Sequence, residues 1–119
     1  MPVALPGIQP EKRKPMSIFS STPEPTKISV IAQIRAKSGH EGEVRKLVEA
    51  LPGPSQKEAG CIRYNIYEDK YYTGSFFTYE EWETEAALET HLQVNKEALN
   101  QLKSLLREDL RISILKLAA

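Results

Sequence analysis

A glutamate, a tryptophan and a histidine fall close together in the segment SFFTYEEWETEAALETHL, residues 75–92. A general base for neutral pH needs a pKa near neutrality, which histidine has unaided and which a carboxylate reaches when burial raises its pKa. His91 is therefore the first candidate for a base or substrate anchor, and Glu80 is the second. Trp82 would supply a flat wall for an aromatic ligand, with Phe76 beside it.

Three polar residues from an earlier segment, CIRYNIYED, could hydrogen-bond a substrate oxyanion or an incipient superoxide. They are Arg63, Tyr64 and Asn65. Successive residues of a strand point to opposite faces of the sheet, so only one of Tyr64 and Asn65 can face the pocket.

Each candidate also has a plain structural interpretation. A histidine on an apolar helix face is often a packed residue with one hydrogen bond, and Trp82 and Phe76 are ordinary core residues by type. Glu80 could pair with a cation on a neighbouring strand. Cys61 is interpreted as a small buried hydrophobic residue. The functional interpretation rests on the combination of groups on adjoining elements.

A strand and a helix must position these groups. The β-prone run that ends at Trp82 predicts a strand with Phe76, Thr78, Glu80 and Trp82 on one face and Phe77, Tyr79 and Glu81 on the other. Thr84 is then predicted to cap a helix. Its apolar stripe would consist of Ala87, Leu88, His91 and Leu92.

The remaining elements complete a strand, helix, strand, strand, helix, strand order. Alternation predicts a strand at Ile28–Lys37, and a capping box from Ser38 to Glu41 predicts the start of a helix. The helix stripe would be Val44, Leu47, Val48 and Leu51. A second strand, Cys61–Asp69, is predicted to place Cys61, Arg63, Asn65, Tyr67 and Asp69 on one face, and a hairpin leads from it into the strand that ends at Trp82.

The last predicted elements are a helix at Lys96–Arg107 and a strand at Leu110–Leu117. This order predicts an α+β fold of the ferredoxin-like split β-α-β type, with a four-stranded antiparallel sheet and helices on one face. The other face would expose apolar residues such as Ile31, which predicts association into a homodimer through that face.

Composition limits the classes of function. The chain has 119 residues, 40% of them hydrophobic, which is enough for one domain with a modest core. Sixteen basic and sixteen acidic residues cancel, and no basic block is larger than Lys12–Lys14, so we expect no nucleic-acid partner. No stretch approaches the roughly 20 apolar residues of a membrane span. The single cysteine indicates a reducing compartment, and we predict a cytoplasmic protein with no membrane partner.

The N-terminal residues 1–26 contain six of the eight prolines and no apolar period. Such a segment cannot bury enough surface to offset its ordering entropy, so we predict a disordered or loosely attached tail ahead of a domain at residues 27–119.

The motifs Gly60-Cys61-Ile62-Arg63-Tyr64 and Tyr79-Glu80-Glu81-Trp82, with Ala87 and His91 in TEAALETHL, resemble the antibiotic biosynthesis monooxygenase domain family. The resemblance covers about Lys27–Leu117. It implies a dimeric α+β barrel in which two sheets meet face to face, with a pocket between sheet and helices. It also implies quinol monooxygenase activity without a metal, flavin or haem. In that chemistry a deprotonated phenol or hydroquinone reduces dioxygen itself, so the partners are a small aromatic substrate and dioxygen.

Three alternatives remain open on the same fold. An isomerase or epimerase would use the same base to move a proton on a small carbonyl compound. A phosphorylated substrate of this kind would want clustered cations, but Arg35, Arg63 and Lys70 are scattered. Haem degraders that share the fold use a histidine near the position of Asn100 and Gln101, where this chain has none. The third alternative is a non-enzymatic small-ligand or stress-response module.

Overall fold

The computed structural model describes residues 3–5, 8–9 and 26–119. Strands β1 (Val3–Leu5) and β2 (Ile8–Gln9) form an antiparallel pair of their own. Most of the predicted tail lies outside the described residues, so its loose attachment stays a prediction.

Residues 26–119 form a four-stranded antiparallel sheet and four helical segments. The strands are β3 (Ile28–Arg35), β4 (Cys61–Glu68), β5 (Ser75–Trp82) and β6 (Arg111–Leu115). Their order in the sheet is β4-β5-β3-β6, and every neighbouring pair is antiparallel. The helices are α1 (Glu41–Glu49), α2 (Pro52–Gln56), α3 (Glu85–Val94) and α4 (Lys96–Lys103). The predicted ferredoxin-like fold is confirmed.

The core lies between the sheet and the helices. Strict alternation along β5 buries Phe76, Thr78, Glu80 and Trp82, as predicted. One buried cluster joins Ile34 and Phe76 to Val44 and Val48 of α1 and to Leu102 of α4. A second cluster consists of Val30, Tyr64, Trp82 and Leu88. His91 of α3 packs against Tyr64 and Trp82 of this second cluster.

The helix-free face of the sheet is partly apolar. Ile31 on β3 is 37% exposed and Tyr67 on β4 is 55% exposed. Phe77 lies directly across from Tyr67 in the β4–β5 register and is half-buried. The predicted homodimer through this face stays a prediction.

Several details of the sequence-based prediction were wrong. The residue that caps α1 is His40, which makes no side-chain capping bond, and Glu41 instead accepts a hydrogen bond from the Gly39 backbone N–H at 3.0 Å. The predicted capping box therefore began two residues too early, at Ser38. Helix α4 ends at Lys103, and β6 is shorter than predicted.

A further error concerns the faces of β4. Cys61 is paired with Trp82 and Arg63 with Glu81, so two steps along β4 match one step along β5. This β-bulge turns Cys61 to the helix side, while Arg63 stays on the helix-free face. The extra residue is Ile62, whose side chain is exposed.

Candidate active site

His91 is held by a carboxylate that the sequence did not single out. Its Nδ1 atom lies 2.7 Å from Oε1 of Glu58, in the turn between α2 and β4. The histidine is 4% exposed, and the Glu58 side chain is 21% exposed. A carboxylate at Nδ1 orients the ring and favours a proton on that nitrogen. Within residues 26–119, Nε2 has no hydrogen-bond partner and keeps its lone pair for another proton.

Asn95, one helical turn after His91, completes this arrangement. Its side-chain amide donates to Oε2 of Glu58 at 3.0 Å and to the backbone carbonyl of His91 at 2.8 Å. Both oxygens of the Glu58 carboxylate therefore have a donor, and the carboxylate is fixed at both ends.

Trp82 packs directly behind the imidazole. Its ring centroid is 4.8 Å from that of His91, and it is fully buried. The indole N–H donates to Oε1 of Glu80 at 2.9 Å, and the Thr78 hydroxyl donates to Oε2 of Glu80 at 2.7 Å. The backbone N–H of Ala32 in turn donates to the Thr78 oxygen. Glu80 is thus a buried carboxylate with both oxygens satisfied.

Tyr64 borders the imidazole on another side, with ring centroids 5.5 Å apart. Burial raises the pKa of its phenol well above the usual range, and the charges of Glu80 and Glu58 raise it further. The phenol therefore stays protonated. The fully buried Ser55 hydroxyl lies beside it and opposes the rise in pKa, although Ser55 Oγ has no hydrogen bond of full geometry within the described residues.

An open groove of about 460 Å³ reaches His91 from the surface. It runs between α3 and the turn that carries Glu58. The groove is largely apolar, and its lining contains no lysine or arginine among the described residues. The lining residues are Glu58, Ala59, Gly60, Thr84, Ala86, Ala87, Thr90, His91 and Val94.

Gly60 lets the turn approach the helix. Its φ of +83° is in the left-handed region, and a Cβ at this position would lie 2.6 Å from the Cβ of Ala87. The small residues at positions 60 and 87 therefore hold Glu58 close to α3. Thr84 caps this helix as predicted, accepting a hydrogen bond from the Ala87 N–H at 3.0 Å.

The structure brings together four of the seven predicted site residues: His91, Glu80, Trp82 and Tyr64. Trp82 supports the imidazole from behind and is not among the groove residues. Phe76 belongs to the other core cluster, beneath the Arg45 guanidinium.

Asn65 and Arg63 are directed to the helix-free face. They are paired with Tyr79 and Glu81, which share that face, and Arg63 lies 3.7 Å from the Glu81 carboxylate. As predicted, only one of Tyr64 and Asn65 faces the helix side of the sheet, and it is Tyr64.

Sequence reasoning missed Glu58 and Asn95. A signal for Asn95 was present, because an amide four residues after a helical histidine lies on the same face. No local signal marks Glu58, which meets His91 across 33 positions of the chain. The described residues contain no group of three His, Cys, Asp or Glu side chains that could hold a metal ion. They also contain no helix with the length and apolar character needed to cross a membrane.

Comparison with known proteins agrees with this fold. The model of the family described as antibiotic biosynthesis monooxygenase matches residues 27–101. An uncharacterised protein of Synechocystis sp. is 34% identical over 93 residues, which is 76% of this chain. The chain spans 63% of that relative's length.

Solved structures give the same picture. A protein from Pseudomonas aeruginosa is 30% identical with a TM-score of 0.70, covering 82% of this chain and all of its own. A candidate antibiotic biosynthesis monooxygenase from Deinococcus radiodurans is 26% identical with a TM-score of 0.70, covering 77% of this chain and 93% of its own.

Proposed function

Because the chain belongs to the antibiotic biosynthesis monooxygenase family, we propose that it is a cofactor-independent monooxygenase that oxidises a quinol or polycyclic phenol with dioxygen. The observation that carries the proposal is the Glu58–His91 hydrogen bond of 2.7 Å at the edge of an apolar groove. It presents a nearly buried base to a space in which a flat aromatic molecule can lie.

Proton removal is the step that the protein catalyses. The Nδ1–H of His91 is bonded to Glu58, so Nε2 accepts the hydroxyl proton of the substrate. The imidazolium that forms is stabilised by the carboxylate of Glu58. The resulting phenolate is electron-rich enough to reduce dioxygen.

The overall reaction needs no external reductant. One oxygen atom of dioxygen enters the ring, as a carbonyl oxygen when the substrate is a phenol and as a hydroxyl of the quinone product when it is a quinol, and the other leaves as water. The substrate supplies all four electrons and the two protons of that water. The apolar lining favours a substrate without charge.

The groove also bears on the isomerase alternative. A phosphorylated substrate requires cations at the mouth, but the described lining residues include a carboxylate and no basic side chain. Glu58 would repel the phosphate. The lining therefore favours a neutral aromatic substrate.

The test is dioxygen uptake by purified protein with a panel of hydroquinones, measured above the autoxidation blank. We expect His91→Ala to lower the rate by about 100- to 10,000-fold, as is usual for loss of a general base. The matched control is His40→Ala, which removes the only other histidine, at the start of α1. Circular dichroism and melting curves would show that both variants are folded.

Two results would contradict the proposal. If His91→Ala melts much earlier than the native protein but keeps its specific activity when folded, His91 is a packing residue. If the native protein accelerates no uptake with any quinol but catalyses deuterium exchange into a small carbonyl compound, it is an isomerase.

A further inference from the structure

We propose that Asn95 is a positioning residue, which holds Glu58 against His91 and thereby keeps the imidazole proton on Nδ1. The catalytic consequence rests on the proposed function, because only a base with a free Nε2 benefits. The positioning itself is a property of the ground-state structure and can be tested without a substrate.

Both hydrogens of the Asn95 side-chain amide have acceptors. A side-chain amide carries two N–H hydrogens. Asn95 directs them to Oε2 of Glu58 at 3.0 Å and to the carbonyl of His91 at 2.8 Å. The same nitrogen is 3.2 Å from Nδ1 of His91, but it has no third hydrogen to donate there. A carboxylate oxygen only accepts hydrogen bonds, so the short contact with Oε1 of Glu58 requires the proton on Nδ1.

Without Asn95 the carboxylate would lose this restraint. Glu58 lies in a turn, its side chain is 21% exposed, and its second oxygen has no other donor among the described residues. A carboxylate that rotates freely no longer holds the Nδ1 proton in a single geometry. An imidazole without a fixed partner is a mixture of its two neutral tautomers, and in one of them Nε2 is protonated and cannot act as a base.

The position of Asn95 in the fold explains how it can act on both residues. Asn95 is both the C-cap of α3 and the N-cap of α4, so it lies at the junction between the two helices. Its backbone N–H also donates to the carbonyl of His91 at 3.1 Å. The junction between the helices is thus tied to the base by backbone and side chain together.

The experiment reads the tautomer directly. Side-chain ¹⁵N NMR of uniformly labelled protein at alkaline pH, where ordinary imidazoles are neutral, distinguishes protonated from unprotonated ring nitrogens. The chain has only two histidines, so His40 is an internal reference in every spectrum. The variants are Asn95→Ala, Asn95→Asp and the control Asn100→Ala, which removes an exposed amide from α4.

We expect His91 in the native protein and in Asn100→Ala to show a protonated Nδ1 and an unprotonated Nε2. In Asn95→Ala the two nitrogen shifts should move toward each other, as in a tautomer mixture, with His40 unchanged. Asn95→Asp keeps the size of the side chain but opposes Glu58 with a second carboxylate, so it should also displace the shifts. This variant decides the question if Asn95→Ala does not fold.

Either of two results would overturn the proposal: native His91 protonated on Nε2, or folded Asn95 variants with native shifts. Activity separates this claim from the proposed function. If the native protein shows the expected tautomer and the Asn95 effect but consumes no dioxygen, the positioning stands and the monooxygenase proposal fails. If both hold, Asn95→Ala should lower the oxidation rate while Asn100→Ala does not.

Discussion

Gly60 and Ala87 approach so closely that a single added methyl group would put two carbon atoms 2.6 Å apart. This contact seats the turn that carries Glu58 against the helix that carries His91. The geometry of the proposed base therefore depends on the absence of a side chain at position 60.

We expect Gly60→Ala to destabilise the fold and to lower activity. The φ of +83° costs an alanine about 1–2 kcal/mol, and the overpacking against Ala87 adds about 1–3 kcal/mol. The control is Gly42→Ala in α1, where a Cβ meets nothing within 4 Å and an alanine should stabilise by about 0.4–1 kcal/mol. Denaturant unfolding measures both. Equal stabilities for the two variants would show that the close approach is not constraining.

Glu80 is predicted to support the site by holding Trp82 in place. Glu80→Gln replaces one acceptor oxygen by a donor, which must face either the indole N–H or the Thr78 hydroxyl. An unsatisfied buried group of this kind costs about 1–3 kcal/mol. Glu89→Gln, the same change at an exposed position of α3, should stay within about 0.5 kcal/mol of the native protein. If Glu80→Gln is as stable as the native protein and yet inactive, Glu80 takes part in the reaction itself.

The loss of folding stability at acid pH should depend on Arg45. Its hydrogen bond to Glu68, at 2.7 Å, is the main cause that lowers the pKa of that carboxyl. A lowered pKa in the folded state stabilises the protein above the unfolded-state pKa of about 4.3, and the stabilisation disappears as pH falls through the lower folded value.

Arg45→Met should therefore be less stable than the native protein at neutral pH, and this difference should shrink as the solution is acidified below that range. Melting curves over a pH series would show it, with Lys46→Met on the same helix as the control. A difference that does not change with pH would assign the effect to packing on Phe76.

We expect a homodimer that buries the helix-free face. A monomer would leave the apolar side chains of Ile31 and Tyr67 exposed to water on this face. Light scattering at micromolar concentration should give twice the chain mass of 13.4 kDa. Ile31→Glu should give the monomer, whereas Val94→Glu, an equally abrupt change on the groove side, should not. A native protein that scatters as a monomer would refute the barrel.

Residues 1–25 should be dispensable for folding. Their proline content and lack of apolar period give them no predicted core contact. Melting temperatures of the full chain and of a chain that begins at Thr26 should nearly coincide. A fall of several degrees would show that the segment docks on the domain or on a partner copy.

The regular parts of the fold were readable from local patterns. Alternation in β5 and the threonine at position 84 act within a few residues, so strand, cap and helix face followed from the sequence. The bulge at Ile62 could not be predicted from the local sequence, because it is defined by the pairing of β4 with β5. The partner of His91 was missed for the same reason: Glu58 is brought to it by the close contact of Gly60 with Ala87. The sequence thus indicated the base but not the residues that orient it.

The β-bulge that turns Cys61 inward also gives the protein a built-in chemical reporter. Burial raises the pKa of this thiol, and the charges of Glu58 and Glu80 raise it further. The reactive thiolate is therefore scarce in the folded state. Cys61 is the only cysteine, it is half-buried, and its neighbour Gly60 lines the groove, so the rate at which a thiol reagent labels the protein reports on access to this end of the groove. A ligand that fills the groove would slow that labelling, and its affinity could be measured without knowledge of the reaction it undergoes.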